Sequence, residues 1–411
     1  MAPKIQKTIW LINQYASTPE TGMGGRHYYL AKELAKQGHK VYLIAASFTH
    51  LLRESPKLAN AFKIEEIEGF QFVWVKVPSY KEAHSKKRVF NWFKFAWQLL
   101  KLPKVIADKP DVILASSPAP FIFWGAQRLA IKFGARLAFE VRDIWPLTLM
   151  ELGGYSSKHP LIKLMQWTED KAYRDADVVL SNLPNAVDHM VQRGMVRDKF
   201  TWVPNGFDQS EVSKLESLPE SVLALVPQDK FVVGYTGTMG VANALDSLIE
   251  AAELLQNQSD IIFILVGDGK EKINLMKKAD SLSNVIFIDS INKTQIQTML
   301  AQFDVCFIGL TRYPLFRFGV SPNKLFDYLY AEKPILYAIE SGKYLPVDDA
   351  KAGVSTPAED PKAIAGAILK LKTLSPEESN KMGQNGREYA LKNYDYAILA
   401  EKLANVLLGE Q

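Results

Sequence analysis

Short runs rich in β-branched and aromatic residues alternate along this chain with longer stretches whose apolar residues recur every three or four positions. In the first half the strand-like runs are TIWLIN (8–13), KVYLIA (40–45), two runs around Gly69 within 62–77, DVILAS (111–116), RLAFEV (136–141), ADVVLS (176–181) and the start of FTWVPNGFD (200–208). A polar, proline-bearing stretch over 209–229 suits a linker. The pattern then restarts with FVVGYT, IIFILVGDG, NVIFID, DVCFIGL and PILYAI, and 375–411 reads as helix. Strand and helix signals alternating in this way predict βαβ units and parallel sheets, so the expected class is α/β, built once in each half.

Composition narrows this picture without redirecting it. The 411 residues suffice for two domains of ordinary size, and 47% apolar with 23% charged residues fits a globular chain. No apolar run approaches the length needed to span a bilayer, and MAPKIQKTIWLIN enters a strand too soon to read as a signal peptide. Cys306, the single cysteine, sits in the apolar run DVCFIGL, which excludes an intrachain disulfide framework and reads as inert core. The six histidines are scattered, so no metal site is expected. A net charge of +4 and the lack of a dense basic motif give no reason to expect nucleic acid as a partner. The expected location is the cytoplasm.

Four stretches carry candidate chemistry. In RFGVSPNKLFDYLYAEKPIL (317–336), Ser321 is placed to cap a helix, with Pro322 at its first position. Leu325, Phe326, Leu329 and Tyr330 recur with helical spacing, and Lys324 and Asp327 share a face. A helix N-terminus with a cation, and an acceptor one turn deeper, suits a phosphate followed by a sugar diol. An ordinary amphipathic helix with two solvated charges fits the same residues. The loop TGMGGR carries Gly22, Gly24 and Gly25 before a helix from Arg26 to about Gln37, ended by Gly38. It lacks the spacing of a dinucleotide fingerprint, which disfavours a dehydrogenase. Arg142 and Asp143 follow the 136–141 run, at a strand's carboxyl end where open α/β sheets bind ligands. An intradomain ion pair is the alternative for these two. In residues 85–102, Asn91, Lys94, Gln98 and Lys101 form a narrow polar stripe, and large apolar residues fill the remainder. That segment is either a core helix or a membrane and acceptor face formed by Lys86, Lys87, Arg88, Phe90, Trp92, Phe93 and Trp97.

Together these motifs resemble the GT-B glycosyltransferases, specifically the retaining family 4 group. That group carries a Glu-x(7)-Glu signature followed by Gly-x-Pro, and Asp327 stands where the second Glu falls when counted back from Pro334. Gly24, Gly25, Leu30, Ala31, Leu34, Gly38, His39 and Val41 match the family's opening, and the NGFD turn, YTG and VGDG match further on. SPNKLFDYL followed by KPI, together with EVRDIWP, resembles an amino-sugar transferase subgroup of O-antigen and capsule assembly. Two departures stand out. The family's Arg and Lys after the YTG glycine are replaced by Thr238 and Asn243, and Gly319 occupies the position of the first Glu.

The resemblance implies two Rossmann-like domains facing across a cleft: an acceptor domain over 1–207, a nucleotide-sugar domain over 208–390, and a final helix, 391–411, crossing back to the first. It implies a donor site of Gly24, Gly25, Gly237, Thr238, Met239, Asn243, Arg317, Ser321, Pro322, Asn323, Lys324 and Asp327, with Arg142 and Asp143 as catalytic residues. The implied reaction is metal-independent and retaining. It moves a deoxy or acetamido sugar from a UDP-sugar to an undecaprenyl-diphosphate-linked saccharide at the inner face of an anionic membrane. A sugar-nucleotide epimerase of the same architecture and a non-catalytic sugar-nucleotide sensor are the competing expectations.

Overall fold

A computed structural model describes residues 5–80 and 86–409. The chain forms two compact units, one of residues 1–204 with 396–411, the other of residues 205–395. Both are parallel-sheet α/β structures, as the alternating pattern predicts.

The first unit holds β1 (Thr8–Asn13), β2 (Lys40–Ala46), β3 (Phe62–Ile67), β4 (Phe70–Val75), β5 (Val112–Ser116), β6 (Arg136–Val141), β7 (Val178–Ser181) and β8 (Phe200–Trp202). They lie in the order β3-β4-β2-β1-β5-β6-β7-β8, parallel except for the β3–β4 hairpin. The chain leaves β1 to build one wing through β2 and returns beside it with β5. β1 is therefore the switch point, and a ligand crevice is expected beyond its carboxyl end. β1, β2 and β5 are almost wholly buried, which explains why their sequences are continuous apolar runs rather than alternating ones.

The second unit holds β9 (Phe231–Thr236), β10 (Ile261–Val266), β11 (Val285–Ile288), β12 (Val305–Gly309), β13 (Ile335–Ala338) and β14 (Gly353–Ser355). The order β11-β10-β9-β12-β13-β14 places the switch point at β9. Cys306 is fully buried on β12, and burial pushes its thiol up to about 12, so it is core.

The last helix, Tyr396–Leu408, packs on the Arg26–Lys36 helix of the first unit. Tyr396 stacks on Tyr29 at 5.1 Å, and Leu399, Leu403 and Leu407 are buried. Each such leucine contributes about 1.5–3 kcal/mol of apolar burial. Residues 205–207 and 391–395 belong with the second unit, a correction to the expected boundaries. The Phe207 N–H donates to the Tyr394 carbonyl at 3.0 Å, and Phe207 bridges Asp395, so the two stretches are tied together. Among the described residues no helix is long and apolar enough to cross a membrane.

Candidate functional site

In the second unit the carboxyl end of β9 runs into Gly237-Thr238-Met239. Tyr328 fixes this exit: its hydroxyl accepts from the Thr236 N–H at 2.8 Å and reaches the Thr236 carbonyl at 3.2 Å. The loop after β10 lies directly on it. The Gly237 N–H donates to the Val266 carbonyl at 2.9 Å, and a Cβ on Gly267 would stand only 2.0 Å from the Gly237 carbonyl oxygen. Glycine in VGDG is therefore a demand of close backbone approach.

Lys324 rises into this corner from the Asn323–Tyr330 helix. Its ammonium donates to the Tyr235 hydroxyl at 2.6 Å and to Asn243 Oδ1 at 2.8 Å, and lies 4.1 Å from the centre of the Tyr235 ring. Asn243 in turn donates to the Thr238 carbonyl at 2.9 Å. A Cβ on Gly237 would stand 3.3 Å from that ammonium. Burial, with no carboxylate to oppose it, brings the Lys324 ammonium down to about 7. Asn243, which replaces a cation of the resembling family, thus aims the Lys324 cation. One turn along, burial raises the Asp327 carboxyl to about 6, with Lys293 pulling it down and Glu211 pushing it up.

Three expected features of this site are corrected. The helix begins one residue later than predicted, with Pro322 as its N-cap and no side-chain cap. Ser321 does not cap because its hydroxyl accepts the Asn205 N–H at 3.1 Å, while Asn205 Nδ2 donates to the Ser321 carbonyl at 3.0 Å. Met239 is fully buried in the apolar core, so only its backbone belongs to the corner. Arg317 is exposed on a short turn, donating to the Pro314 carbonyl and lying over the Phe318 ring, and is not brought to Lys324. Asn323 is exposed at the helix start.

In the first unit the carboxyl ends of β1, β5 and β6 enclose a buried ionic network absent from the sequence-based expectations. Glu140 on β6 is fully buried. Oε1 accepts from Arg26 Nε at 2.8 Å, and Oε2 meets His27 Nε2 at 2.7 Å and the Ser116 hydroxyl at 2.6 Å. Burial alone would raise this carboxyl; Arg26, His27 and Arg142 outweigh it and hold it well below its ordinary range. Burial depresses His27 despite the pull of Glu140, so the neutral ring donates its Nε2 proton to the carboxylate. Asn13, at the end of β1, donates to the Ser116 hydroxyl at 3.0 Å. Gly24 and Gly25 precede Arg26, and Gly25, with φ 83°, is the uncapped N-cap of the Arg26–Lys36 helix. A carboxylate inside the apolar run RLAFEV was the available signal, but its partners Arg26 and His27 lie 114 and 113 residues away in the chain.

Arg142 and Asp143 follow β6 directly. The Arg142 N–H donates to the Ser117 hydroxyl at 2.8 Å, and its guanidinium acts on both Glu140 and His27. Asp143 is exposed.

The 85–102 segment forms the helix Lys86–Leu99; Ser85 and the Lys86 side chain lie outside the described residues. Two residues of its polar stripe are turned inward. Asn91 and Gln98 are buried, Asn91 donating to the Pro78 carbonyl at 2.6 Å. Arg88 is enclosed by the Tyr15, Trp92 and Trp145 rings, and Trp92 is buried with its indole N–H on the Tyr15 hydroxyl at 2.9 Å. Phe93 stacks on Phe121 at 4.4 Å. What remains outward is Lys87, Phe90 (58% exposed) and Trp97 (52%).

Residues 21–206 match the glycosyl transferase 4-like domain, and residues 224–389 match the glycosyl transferases group 1 family. The chain is thus a glycosyltransferase with a 4-like domain followed by a group 1 domain. The WcaI colanic acid biosynthesis glycosyl transferase of Escherichia coli K12 is 27% identical over 274 residues, spanning 64% of this chain and 66% of that protein, just under two thirds of its length. Solved structures of the same fold include a sucrose-phosphate synthase from Thermosynechococcus elongatus, with TM-score 0.70, 15% identity and 98% of both chains covered. Another is the E. coli trehalose-6-phosphate protein bound with UDP-2-fluoro glucose, with TM-score 0.74, 11% identity, and 98% and 99% covered. Anabaena HepE in complex with UDP-glucose aligns with TM-score 0.64 and 16% identity over 98% of this glycosyltransferase and all of that chain.

Proposed function

We propose that this GT-B protein transfers a sugar from a UDP-sugar, held by the second unit, to a saccharide acceptor held by the first, with retention at the anomeric carbon. The observation that carries the reading is Lys324, fixed by Tyr235 and Asn243 at the carboxyl end of the switch-point strand, with Asp327 one turn behind it. An aimed cation against the Gly237 backbone meets a diphosphate, and a carboxylate one turn on accepts from ribose hydroxyls. The protein's contribution is to position both substrates and to stabilise charge on the departing diphosphate, without a metal. UDP-sugar complexes among proteins of this fold support a nucleotide-sugar donor. The WcaI likeness supports a role in surface polysaccharide assembly, hence a lipid-linked acceptor such as an undecaprenyl-diphosphate saccharide. With Gly319 in place of the family's first Glu, the donor is a deoxy or acetamido sugar rather than a fully hydroxylated hexose. Incubation with a panel of UDP-sugars, with and without membrane extract, tests this. Transfer requires the extract; a new sugar nucleotide formed without it would make the protein an epimerase, and binding without turnover would make it a sensor.

A further inference from the structure

The helices Lys86–Leu99 and Ile122–Phe133 contain no Asp or Glu, yet each carries Lys and Arg. Ile122–Phe133 lies beside the Pro160–Asp175 helix. Gln127 Nε2 donates to Asp175 Oδ2 at 3.0 Å, and the Trp124 and Trp167 rings meet edge to face at 6.3 Å. Between these two helices is a recess of about 480 Å³, lined by Trp124, Gln127, Arg128, Ile131, Trp167 and Lys171. That volume is in the range of small-molecule sites, about 300–1,000 Å³. Helix faces form it, not the strand-end loops where open α/β sheets gather their substrates.

The recess has donors to spare. Among the described residues its lining holds Arg128 and Lys171 but no acid. Arg128 is exposed and has no ion pair or hydrogen bond among the described residues. The carboxylate nearby, Asp175, is already engaged: it accepts from Gln127, pairs with Lys171 and takes Arg174 Nε at 2.9 Å. The indole N–H of Trp124 is buried without an acceptor. A donor removed from water without a partner is costly, so a ligand oxygen in the recess would relieve it. Lys163, Trp167 and Lys171 recur at four-residue intervals and share one face of their helix. Ile131 and Trp167 are exposed.

A dissolved phosphate would use Arg128 and gain nothing from those apolar groups. A phospholipid in a bilayer surface uses all of them. Its phosphate meets the guanidinium through paired charge-assisted hydrogen bonds, its glycerol and ester oxygens accept from the indole, and Ile131 and Trp167 enter the acyl boundary. A zwitterionic headgroup fits less well, because its ammonium returns a positive charge to Arg128 and Lys171.

We propose that this recess binds the headgroup of one anionic phospholipid, with Arg128 on the phosphate and Trp124 and Trp167 along the glycerol. The site rests on the reading that the acceptor is lipid-linked, which brings the chain to a bilayer. It differs from the general attraction of a basic face, because one lipid occupies it and one guanidinium decides it.

The test measures binding of dihexanoyl phosphatidylglycerol to the full chain by calorimetry, below the micelle concentration, so that no bilayer is present. One lipid per chain is expected to bind, and dihexanoyl phosphatidylcholine should bind more weakly. Arg128→Gln should weaken phosphatidylglycerol by about tenfold or more, the loss of charge-assisted hydrogen bonds, while UDP affinity and melting temperature stay unchanged. Arg128→Lys, which keeps the charge but not the fork of donors, should fall between the two. Lys132→Gln removes a cation one turn along the same helix, outside the recess, and should leave binding unchanged. Equal binding of the two lipids, equal binding by wild type and Arg128→Gln, or equal losses in Arg128→Gln and Lys132→Gln overturns the site. Inorganic phosphate binding as tightly as the lipid, or a phosphoserine peptide binding more tightly, overturns the lipid as its occupant. Sugar transfer to a water-soluble saccharide without membrane extract would remove the lipid-linked acceptor and leave these binding results as they stand, so either reading can fail without the other.

Discussion

Lys324 and Asp327 carry opposite charges whose proton affinities burial has brought close together, to about 7 and about 6. In the proposed donor site the charged lysine would bind the UDP-sugar diphosphate, and ribose hydroxyls would donate to the ionised aspartate. UDP-sugar affinity should therefore fall above pH 7 as Lys324 loses its proton, and below pH 6 as Asp327 gains one. The diphosphate diester of a UDP-sugar has no terminal phosphate to confuse the profile. Calorimetry from pH 5 to 9 should give a bell; Lys324→Met should lose its alkaline limb and Asp327→Asn its acid limb. Each variant should cost on the order of 1–3 kcal/mol of binding at neutral pH, the worth of a hydrogen bond to a charged group. A flat profile for the wild type would remove both residues from the donor site. Stability gives a separate reading of Lys324. Its proton is held less tightly in the fold, at about 7 against 10.5, so the unfolded chain binds more protons between those values. The contribution of this position to stability then rises with pH across that window, and Lys324→Met should flatten the dependence of Tm on pH there.

At the scale of the element, hydrophobic period was enough to place the strands, and 8–13 and 136–141 are read residue for residue. Period does not say which side of a helix faces in, because local spacing is blind to what packs against each face. Asn91 and Gln98 of the polar stripe are buried, and Phe90 and Trp97 take the solvent side. Nor does local sequence decide what a hydroxyl prefers. Ser321 has the residue type and position of a cap, yet it bonds Asn205, 116 residues away in the chain. The network of Arg26, His27 and Glu140 was hidden for the same reason, since strand order alone brings these residues together. The Asn205–Ser321 pair gives a prediction of its own. It ties the turn after β8 to the start of the donor helix through two hydrogen bonds, one using the Asn205 side chain and one the Ser321 side chain. Asn205→Ala and Ser321→Ala should each cost about 0.5–1.5 kcal/mol of stability in urea denaturation. Ser321→Ala should also speed hydrogen exchange at the Asn205 amide, whose acceptor it removes. Unchanged exchange at Asn205, with faster exchange in the first turn of the Asn323–Tyr330 helix, would return Ser321 to the capping role.

Across the whole molecule, the outward aromatic residues of the Lys86–Leu99 helix are part of a larger face of the first unit. Phe93 lies 6.0 Å from Trp124 on the Ile122–Phe133 helix, and Trp124 lies 6.3 Å from Trp167 on the Pro160–Asp175 helix, so rings run across three helices. Trp167 is 56% exposed and Ile131 76% exposed, and they line a recess with Trp124, Gln127, Arg128 and Lys171. Lys94 and Lys101 lie over the Trp97 ring at 5.2 and 3.9 Å. Exposed aromatics interleaved with cations are the chemistry of attachment to an anionic bilayer, each lysine near the surface contributing about 1 kcal/mol and each ring adding apolar burial. The attachment proposed here therefore centres on Phe90, Trp97, Ile131 and Trp167 rather than on Arg88 and Trp92, which the fold encloses. The triple variant Phe90→Ser/Trp97→Ser/Trp167→Ser removes rings that are each about half exposed, so it should stay folded with a lowered Tm and keep its UDP affinity. It should lose co-sedimentation with phosphatidylglycerol vesicles and activity on lipid-linked acceptors. Wild-type binding should weaken as salt rises, because exposed charges are screened over about 10 Å at 0.1 M. Enclosed Arg88 supplies the control: Arg88→Gln should leave vesicle binding unchanged, since its guanidinium faces Tyr15, Trp92 and Trp145. Equal sedimentation of the triple variant and the wild type would show that this face does not meet the membrane.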